Sequence, residues 1–261
     1  IYGRQGVNLD RSTLADWVGK AAFLLRPVHE RLFERLKAST KLFADETTAP
    51  VLDPGRGRTK TGQFFAYARD ERPWGGGDPP GVAYLYAPDR KAEQPIRHLQ
   101  GFTGVLQVDG YAGYKVLADR NAVSLAFCWS HVRRKFYDLA QGGPAPIATE
   151  ALARIAELYR IEGEIRGRPA EERRDIRQAR SRAIVEALEP WLKAKLALVS
   201  QKSKLAEAIR YTLPRWAGLS RFLDDGRVEI DSNAVERAIR PIALNRKNAL
   251  FAGSDGGAEH W

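Results

Sequence analysis

Between residues 41 and 128 the chain carries five short runs of apolar, β-branched and aromatic residues, and the connectors between them change character halfway. The runs 41–47, 63–68 and 82–87 are separated only by turn-forming stretches such as Pro54-Gly55-Arg56-Gly57 and Trp74-Gly75-Gly76-Gly77. That pattern predicts an antiparallel meander. The runs 104–109 and 124–128 are each preceded by a helical stretch, residues 92–99 before the first and a further piece before the second. Three hairpin-joined strands followed by alternating helices and strands constrain the fold to a mixed, five-stranded α/β sheet flanked by helices.

Both flanks of this region read as helical. Residues 8–37 have Asp10, Ser12 or Thr13 as caps, Leu14, Trp17 and Val18 on one stripe, and a second stripe through Phe23, Leu24, Leu32, Phe33 and Leu36. Residues 6–17 read equally as the turn and second helix of a helix-turn-helix or as an ordinary lead-in to the core. After Gly142-Gly143-Pro144-Ala145-Pro146 the pattern stays helical to about residue 222, with helix-period apolar positions over 147–159, 173–188 and 205–213. The arginine-rich run 166–182 is read as a solvated helix face or a contact with a DNA backbone. Four segments are therefore expected: a helical lead-in over 1–37, the first part of a sheet domain over 38–143, a helical insertion over 144–225, and the last part of the sheet domain over 226–261.

The 42 Lys and Arg against 32 Asp and Glu give a formal charge of +10, which favours a polyanionic partner. Cys128 is the single cysteine, so no intramolecular disulfide forms, and no uncharged apolar run approaches the ~18 residues of a membrane span. A cytoplasmic protein without a membrane partner is expected. With no methionine anywhere in the sequence, an internal piece of a longer reading frame is also expected.

Three acids fall where a sheet-based site would want them. Alternation along 41–47 puts Phe43, Asp45 and Thr47 on one face and Leu42, Ala44 and Glu46 on the other, so only one of the adjacent acids can face a site. Asp45 is the choice, because Asp109 ends a second strand with Gly110 releasing the chain after it. Two surface turn aspartates would fit the same pattern. On a helix, Asn233, Glu236, Arg237 and Arg240 share a polar face opposite Val235, Ala238 and Ile239, although Asn233 and Glu236 also have the spacing of a capping box. Gathered carboxylates suit magnesium, which is held by a few carboxylates while keeping positions for water and phosphate oxygens.

The strings Phe43-Ala44-Asp45-Glu46-Thr47, Val108-Asp109-Gly110-Tyr111, Cys128-Trp129-Ser130-His131, Asn233-Ala234-Val235-Glu236-Arg237 and Arg246-Lys247-Asn248 resemble the transposases of the insertion-sequence-66 family, in order and from about residue 5 to the end. The departures are small: Ser232, Asn245 and Ala249 stand where the family usually has asparagine, glycine and a large aromatic residue. The resemblance implies a ribonuclease H-like DDE catalytic domain with a helical insertion, in which Asp45, Asp109 and Glu236 hold two Mg²⁺ ions, with Mn²⁺ as a substitute. It implies double-stranded DNA partners, transposon ends and target, and a homodimer or higher multimer on that DNA in the bacterial nucleoid.

Arg237, Arg240, Arg246 and Lys247 follow the glutamate closely and are read as DNA contacts, as are His131, Arg133 and Arg134. Surface salt bridging and simple packing are the alternatives. Cys128 and His131 form a C-x-x-H pair, but a closed zinc site needs four ligands and the chain offers few, so zinc is not assigned. The expected activity is DNA phosphodiester hydrolysis followed by strand transfer. A structure-selective nuclease on the same fold, or a transposase-derived DNA-binding protein without catalysis, would share most of these features.

Overall fold

The computed structural model describes residues 2–120 and 123–260. A long helix, α1 (Arg11–Lys37), opens with Asp10 accepting the Ser12 N–H and leads into β1 (Lys41–Asp53), β2 (Arg58–Arg69) and β3 (Gly81–Ala87). Then come α2 (Glu93–His98), β4 (Gly104–Val108), α3 (Ala112–Arg120), β5 (Val123–Phe127) and α4 (Trp129–Gln141). The sheet order is β3-β2-β1-β4-β5, with the first three strands antiparallel and β4 and β5 parallel to β1. This is the five-stranded, ribonuclease H-like mixed sheet expected from the change of connectors.

The strands are longer than their apolar runs. β1 continues past residue 47 to Asp53 because the tight turn that follows lets 48–53 pair with 58–63 of β2. β4 pairs only with Lys41 to Phe43, so this far half of β1 overhangs, and Pro50 sits there. The C-terminal segment covers the overhang, with Ala252 donating to Pro50 O and accepting from Leu52 N–H. At the other end, Cys128 caps α4 and does not extend β5.

Helices cover both faces of the sheet. On one, Phe33 and Leu36 of α1, Leu99 and Phe102 after α2, and Tyr114 and Leu117 of α3 pack on Leu42, Phe65 and Leu106. On the other lies a helical layer, α5 (Pro146–Ile165), α6 (Ala170–Ile176), α7 (Arg182–Leu198), α8 (Lys204–Thr212) and α9 (Trp216–Ser220). Together with α4 it packs against Val105 and Ala126. The same face receives α10 (Asn233–Ala249), whose Val235 and Ile239 rest on Phe43, Ala66 and Ala68. A short helix, α11 (Asp255–Glu259), follows, and Asp255 binds Lys60 and the Tyr86 hydroxyl. Among the described residues no helix is long and apolar enough to cross a membrane.

The arginine-rich run behaves differently from its sequence reading. Arg173 and Arg177 are fully buried, and neither faces water or an outer surface. Arg177 binds both carboxylate oxygens of Glu162, at 2.7 and 2.6 Å, and donates to the carbonyls of Phe222 and Asp225. Arg173 lies 2.7 Å from Glu229 and 3.4 Å from Glu162. The reason is local supply: two acids on neighbouring segments neutralise two arginines, which makes burial tolerable. Arg168, Arg174, Arg180 and Arg182 keep to the exposed side in surface pairs with acids.

Candidate active site

Asp45 and Asp109 come together through strand register. Phe43 of β1 stands opposite Gln107 of β4, so two residues further on both chains point a carboxylate to the same face, the one covered by α10. Glu46 takes the other face, bonded to Arg90 and, at 3.0 Å, to the Tyr114 hydroxyl. Asp109 lies one residue beyond β4 and folds back to accept the Tyr111 N–H at 2.9 Å. Gly110 then turns the chain at φ +113°, and a Cβ there would sit 2.6 Å from Arg215 Nε. Glycine is required by the conformation, and a larger residue would also displace the Arg215 guanidinium.

Glu236 is placed by a clamp. Gln107, buried in a strand otherwise apolar, donates to the carbonyls of Glu229 and Asp231 at 2.7 and 2.9 Å and accepts the Glu229 N–H at 3.3 Å. This fixes the segment entering α10 against β4, and Tyr84 OH holds the next turn through Ala238 O at 2.6 Å. The helix begins after Ser232, so the capping-box geometry read from Asn233 and Glu236 does not form. Asn233 bonds to Asp231, and Glu236 accepts from the Ser232 hydroxyl at 3.2 Å. Glu236 is left exposed on the helix face that follows the two aspartates.

The electrostatics of the cluster are unbalanced. Burial raises Asp45 to about 7, and the charges of Glu46, Asp109 and Glu236 push in the same direction, opposed only by the Glu46 N–H. Glu236 also approaches a different pair: Cys128, His131 and Glu236 offer ligand atoms within 4.8 Å of one another, and among the described residues no set containing all three of Asp45, Asp109 and Glu236 closes to that distance. The contact with Cys128 raises His131 to about 9 against the effect of burial, and the charges of Glu236 and Asp109 add to the rise. Burial alone would raise the Cys128 thiol, yet His131, Ser130 and the Ser232 N–H outweigh it and hold the thiol below its usual range. A protonated imidazole therefore draws Glu236, while the aspartates repel it.

The two donor sets differ in chemistry. Oxygen donors from mid-β1, from just past β4 and from α10 match hard divalent ions, whose charge offsets that of clustered carboxylates. The thiol, imidazole and carboxylate set is softer, and its three donors fall short of a closed four-ligand site.

The other residues singled out in the sequence divide into three groups. Arg237 and Arg240 are exposed and line, with Asn233 and Glu236, a groove of ≈ 500 Å³. Lys247 lines a second groove of ≈ 450 Å³ with Arg246, whose guanidinium is also tied to Thr48 O at 2.6 Å. Arg133 and Arg134 are exposed on α4, and His131 is half-buried beside Glu236. Three residues escaped the sequence reading: Gln107, Tyr211, whose hydroxyl donates to Asp109 O at 2.9 Å, and Arg215, which reaches Gly110 O at 3.3 Å. A lone amide within Val105 to Val108 was a usable signal for Gln107, whereas nothing in the local sequence links Tyr211 or Arg215 to a strand so distant along the chain.

Among known proteins, three from Sinorhizobium fredii (strain NBRC 101917 / NGR234) are similar over nearly the whole chain. The uncharacterized protein y4qI is 50% identical over 268 residues, covering 100% of this chain and 50% of that protein. The uncharacterized protein y4jD is 45% identical over 99% of this chain and 52% of its own length, and y4hP, also uncharacterized, is 41% identical over 98% and 49%. The chain thus spans about half the length of the curated relatives it matches. A model of the IS66 transposase family matches residues 1–260. With Asp45 in mid-β1, Asp109 just past β4 and the helix carrying Glu236 on one face of a ribonuclease H-like sheet, and with this match along essentially its whole length, the chain belongs to the IS66 transposase family.

Proposed function

We propose that this chain is the catalytic part of a DNA transposase that hydrolyses a phosphodiester bond at a transposon end and joins the freed 3′-hydroxyl to target DNA. The observation that carries the reading is Asp45 in mid-β1 and Asp109 just past the end of the neighbouring β4, both beneath α10, whose Glu236 lies on the same side of the sheet. Residues 38–143 and 226–261 act as two parts of one catalytic domain, 144–225 as its insertion and 1–37 as its lead-in.

In this reading Asp45, Asp109 and Glu236 hold two divalent cations, Mg²⁺ or Mn²⁺. When bound, such ions supply Lewis-acid activation of the attacking oxygen and stabilisation of the leaving one. The protein's own work is positioning. Arg237 and Arg240 hold the scissile strand in the groove beside Glu236 through charge-assisted bonds to phosphate. The His131 imidazolium adds a fixed positive charge at the inner wall. Lys247, Arg246, Arg133 and Arg134 extend the track for the duplex backbone, fixing register without reading sequence. Tyr211 and Arg215 hold the Asp109 turn from the insertion side.

The test uses the complete protein and duplexes made from the DNA that flanks its own coding sequence. With Mg²⁺ or Mn²⁺, nicks ending in 3′-hydroxyl groups and joined products are expected, and Glu236→Gln and Asp45→Asn should abolish both. Cleavage without joining would replace this reading with a structure-selective nuclease. Binding without cleavage in either metal would leave a DNA-binding relic.

A further inference from the structure

The start of α4 and the segment that enters α10 are tied to each other, and the ties run through chemically active groups. Trp129 N–H donates to Ile230 O at 2.9 Å, and Ser232 N–H donates to Cys128 Sγ at 3.2 Å. Ser232 is buried, and its hydroxyl holds Glu236 Oε1 at 3.2 Å. One residue thus orients a thiol through its backbone and a carboxylate through its side chain. His131 follows Cys128 by three residues, which brings its ring to the same side of the first turn of α4.

A lone buried cysteine is ordinarily core filler. Here the donor atoms of Cys128, His131 and Glu236 all lie within 4.8 Å of one another, the one such set among the described residues. Around a tetrahedral Zn²⁺, with bonds of about 2.0–2.3 Å, donors of these types stand about 3.3–3.6 Å apart. The exposed Glu236 side chain can close that gap by rotation. His131 Nδ1 is buried and meets no hydrogen-bond partner among the described residues, so the ring is not committed elsewhere through that atom. The N–H donated to Cys128 Sγ is the kind of outer contact that orients and tunes a metal ligand.

The donor types choose the ion. A thiolate and an imidazole select a softer cation such as Zn²⁺ over Mg²⁺, which keeps to oxygen. Three protein donors are too few for a closed structural centre and are the number found in an open one, where water takes the fourth position. Glu236 is the exposed member of the set, so water has access from its side. We infer that Cys128, His131 and Glu236 form an open Zn²⁺ site, and that Glu236 is shared between it and the Asp45 and Asp109 pair. On binding, the thiol and ring protons leave to solvent and the ion takes their place. With Zn²⁺ bound, the carboxylate is held on the α4 side, so the soft ion opposes the hard ones. This second half rests on the metal site proposed above for Asp45, Asp109 and Glu236.

The test uses the complete protein and metal binding alone. Co²⁺ should give a thiolate-to-cobalt charge-transfer band that Zn²⁺ displaces, and Cys128→Ser should lose one equivalent of that band. His131→Ala, which keeps the thiol and removes a half-buried ring, should weaken Zn²⁺ binding by at least about 10–100-fold, the loss already typical when a residue that merely orients a ligand is removed. Asp45→Asn should keep the Zn²⁺ affinity. An undiminished band in folded Cys128→Ser, or unchanged Zn²⁺ affinity in His131→Ala, overturns the site. Loss of Zn²⁺ binding in Asp45→Asn overturns it too, because the ion then sits among the oxygen donors. For the sharing, Zn²⁺ should weaken Mn²⁺ binding, followed by electron paramagnetic resonance, roughly 10–100-fold in the wild type and not in Cys128→Ser. Equal Mn²⁺ affinity with and without Zn²⁺ overturns the sharing. No readout here needs DNA cleavage, so a protein that cuts in no metal sinks the catalytic reading and leaves these results to decide this one.

Discussion

Two groups of charged side chains are built into the same face of this fold on opposite terms. Between the helices of the inserted layer, Arg173 and Arg177 meet Glu162 and Glu229, two cations with two acids, and the arginines are fully enclosed. In mid-β1 and just past β4, Asp45 and Asp109 feel each other's charge and that of Glu236, with Glu46 next to Asp45, and the nearby cation of His131 sits to one side with Cys128 and Glu236. The first group is complete within the protein and holds helices together. The second gathers acids without a matching cation on each, and Asp45 answers by holding its proton up to about pH 7. Burial does not distinguish the two groups; the charge left over does.

Breaking the balanced group should give the largest loss. Arg177→Met leaves Glu162 without its bidentate partner, and urea denaturation should show a loss of ~3–5 kcal/mol. Removing both charges with Arg177→Met and Glu162→Leu should recover much of it. A single variant as stable as the wild type would mean that the buried pair contributes nothing.

A clamp connects the two groups, since Gln107 grips the segment that begins with Glu229, the Arg173 partner, and ends at the start of α10. Gln107→Leu should lower cleavage and Mn²⁺ affinity together by roughly 10–100-fold, the range for residues that orient metal ligands. Unchanged metal affinity in a folded variant would detach the clamp from the site.

The unbalanced group has a pH signature. Between the ordinary value of 3.8 and about 7, folded Asp45 holds a proton that the unfolded chain has released. Without metal, stability should therefore fall as pH rises through that window, with the cost complete above it. Asp45→Asn should raise the metal-free melting temperature by a few degrees above this window and leave it unchanged below. Added Mg²⁺ should raise the wild-type melting temperature most at the alkaline end and should do little for the variant. The smallest effect belongs to the groove cations. Arg240→Ala should weaken DNA binding evenly across sequences and lower the salt dependence by about one unit of slope.

Much of this was legible in the sequence because it rests on short-range rules. The change from hairpin to helical connectors announced the sheet, and two-residue alternation separated Asp45 from Glu46, which the structure places on opposite faces. Other features depend on contacts between distant segments. The overhang of β1 was missed because its later half pairs through a tight turn and is covered by the C-terminal segment, although it contains a proline. Arg173 and Arg177 read as surface because an arginine run does not reveal that Glu162 and Glu229 lie against it. The lean of Glu236 toward His131 is likewise a matter of where α4 ends up, beyond the reach of spacing.

The order of the elements along the chain has a consequence for timing. β1 is central and carries the first acid, the second follows after β4, and the whole helical layer is then synthesised before α10 delivers the third. Because Trp129 N–H, Gln107 and Phe43 all wait for the segment around α10, a chain still emerging from the ribosome, or one cut short within the insertion, has two of its acids in hand and no site. Contacts of such long sequence separation are also the slow ones to form. The gathering of the three acids is thus among the last events of folding, because it waits on a helix that leaves the ribosome after the whole inserted layer.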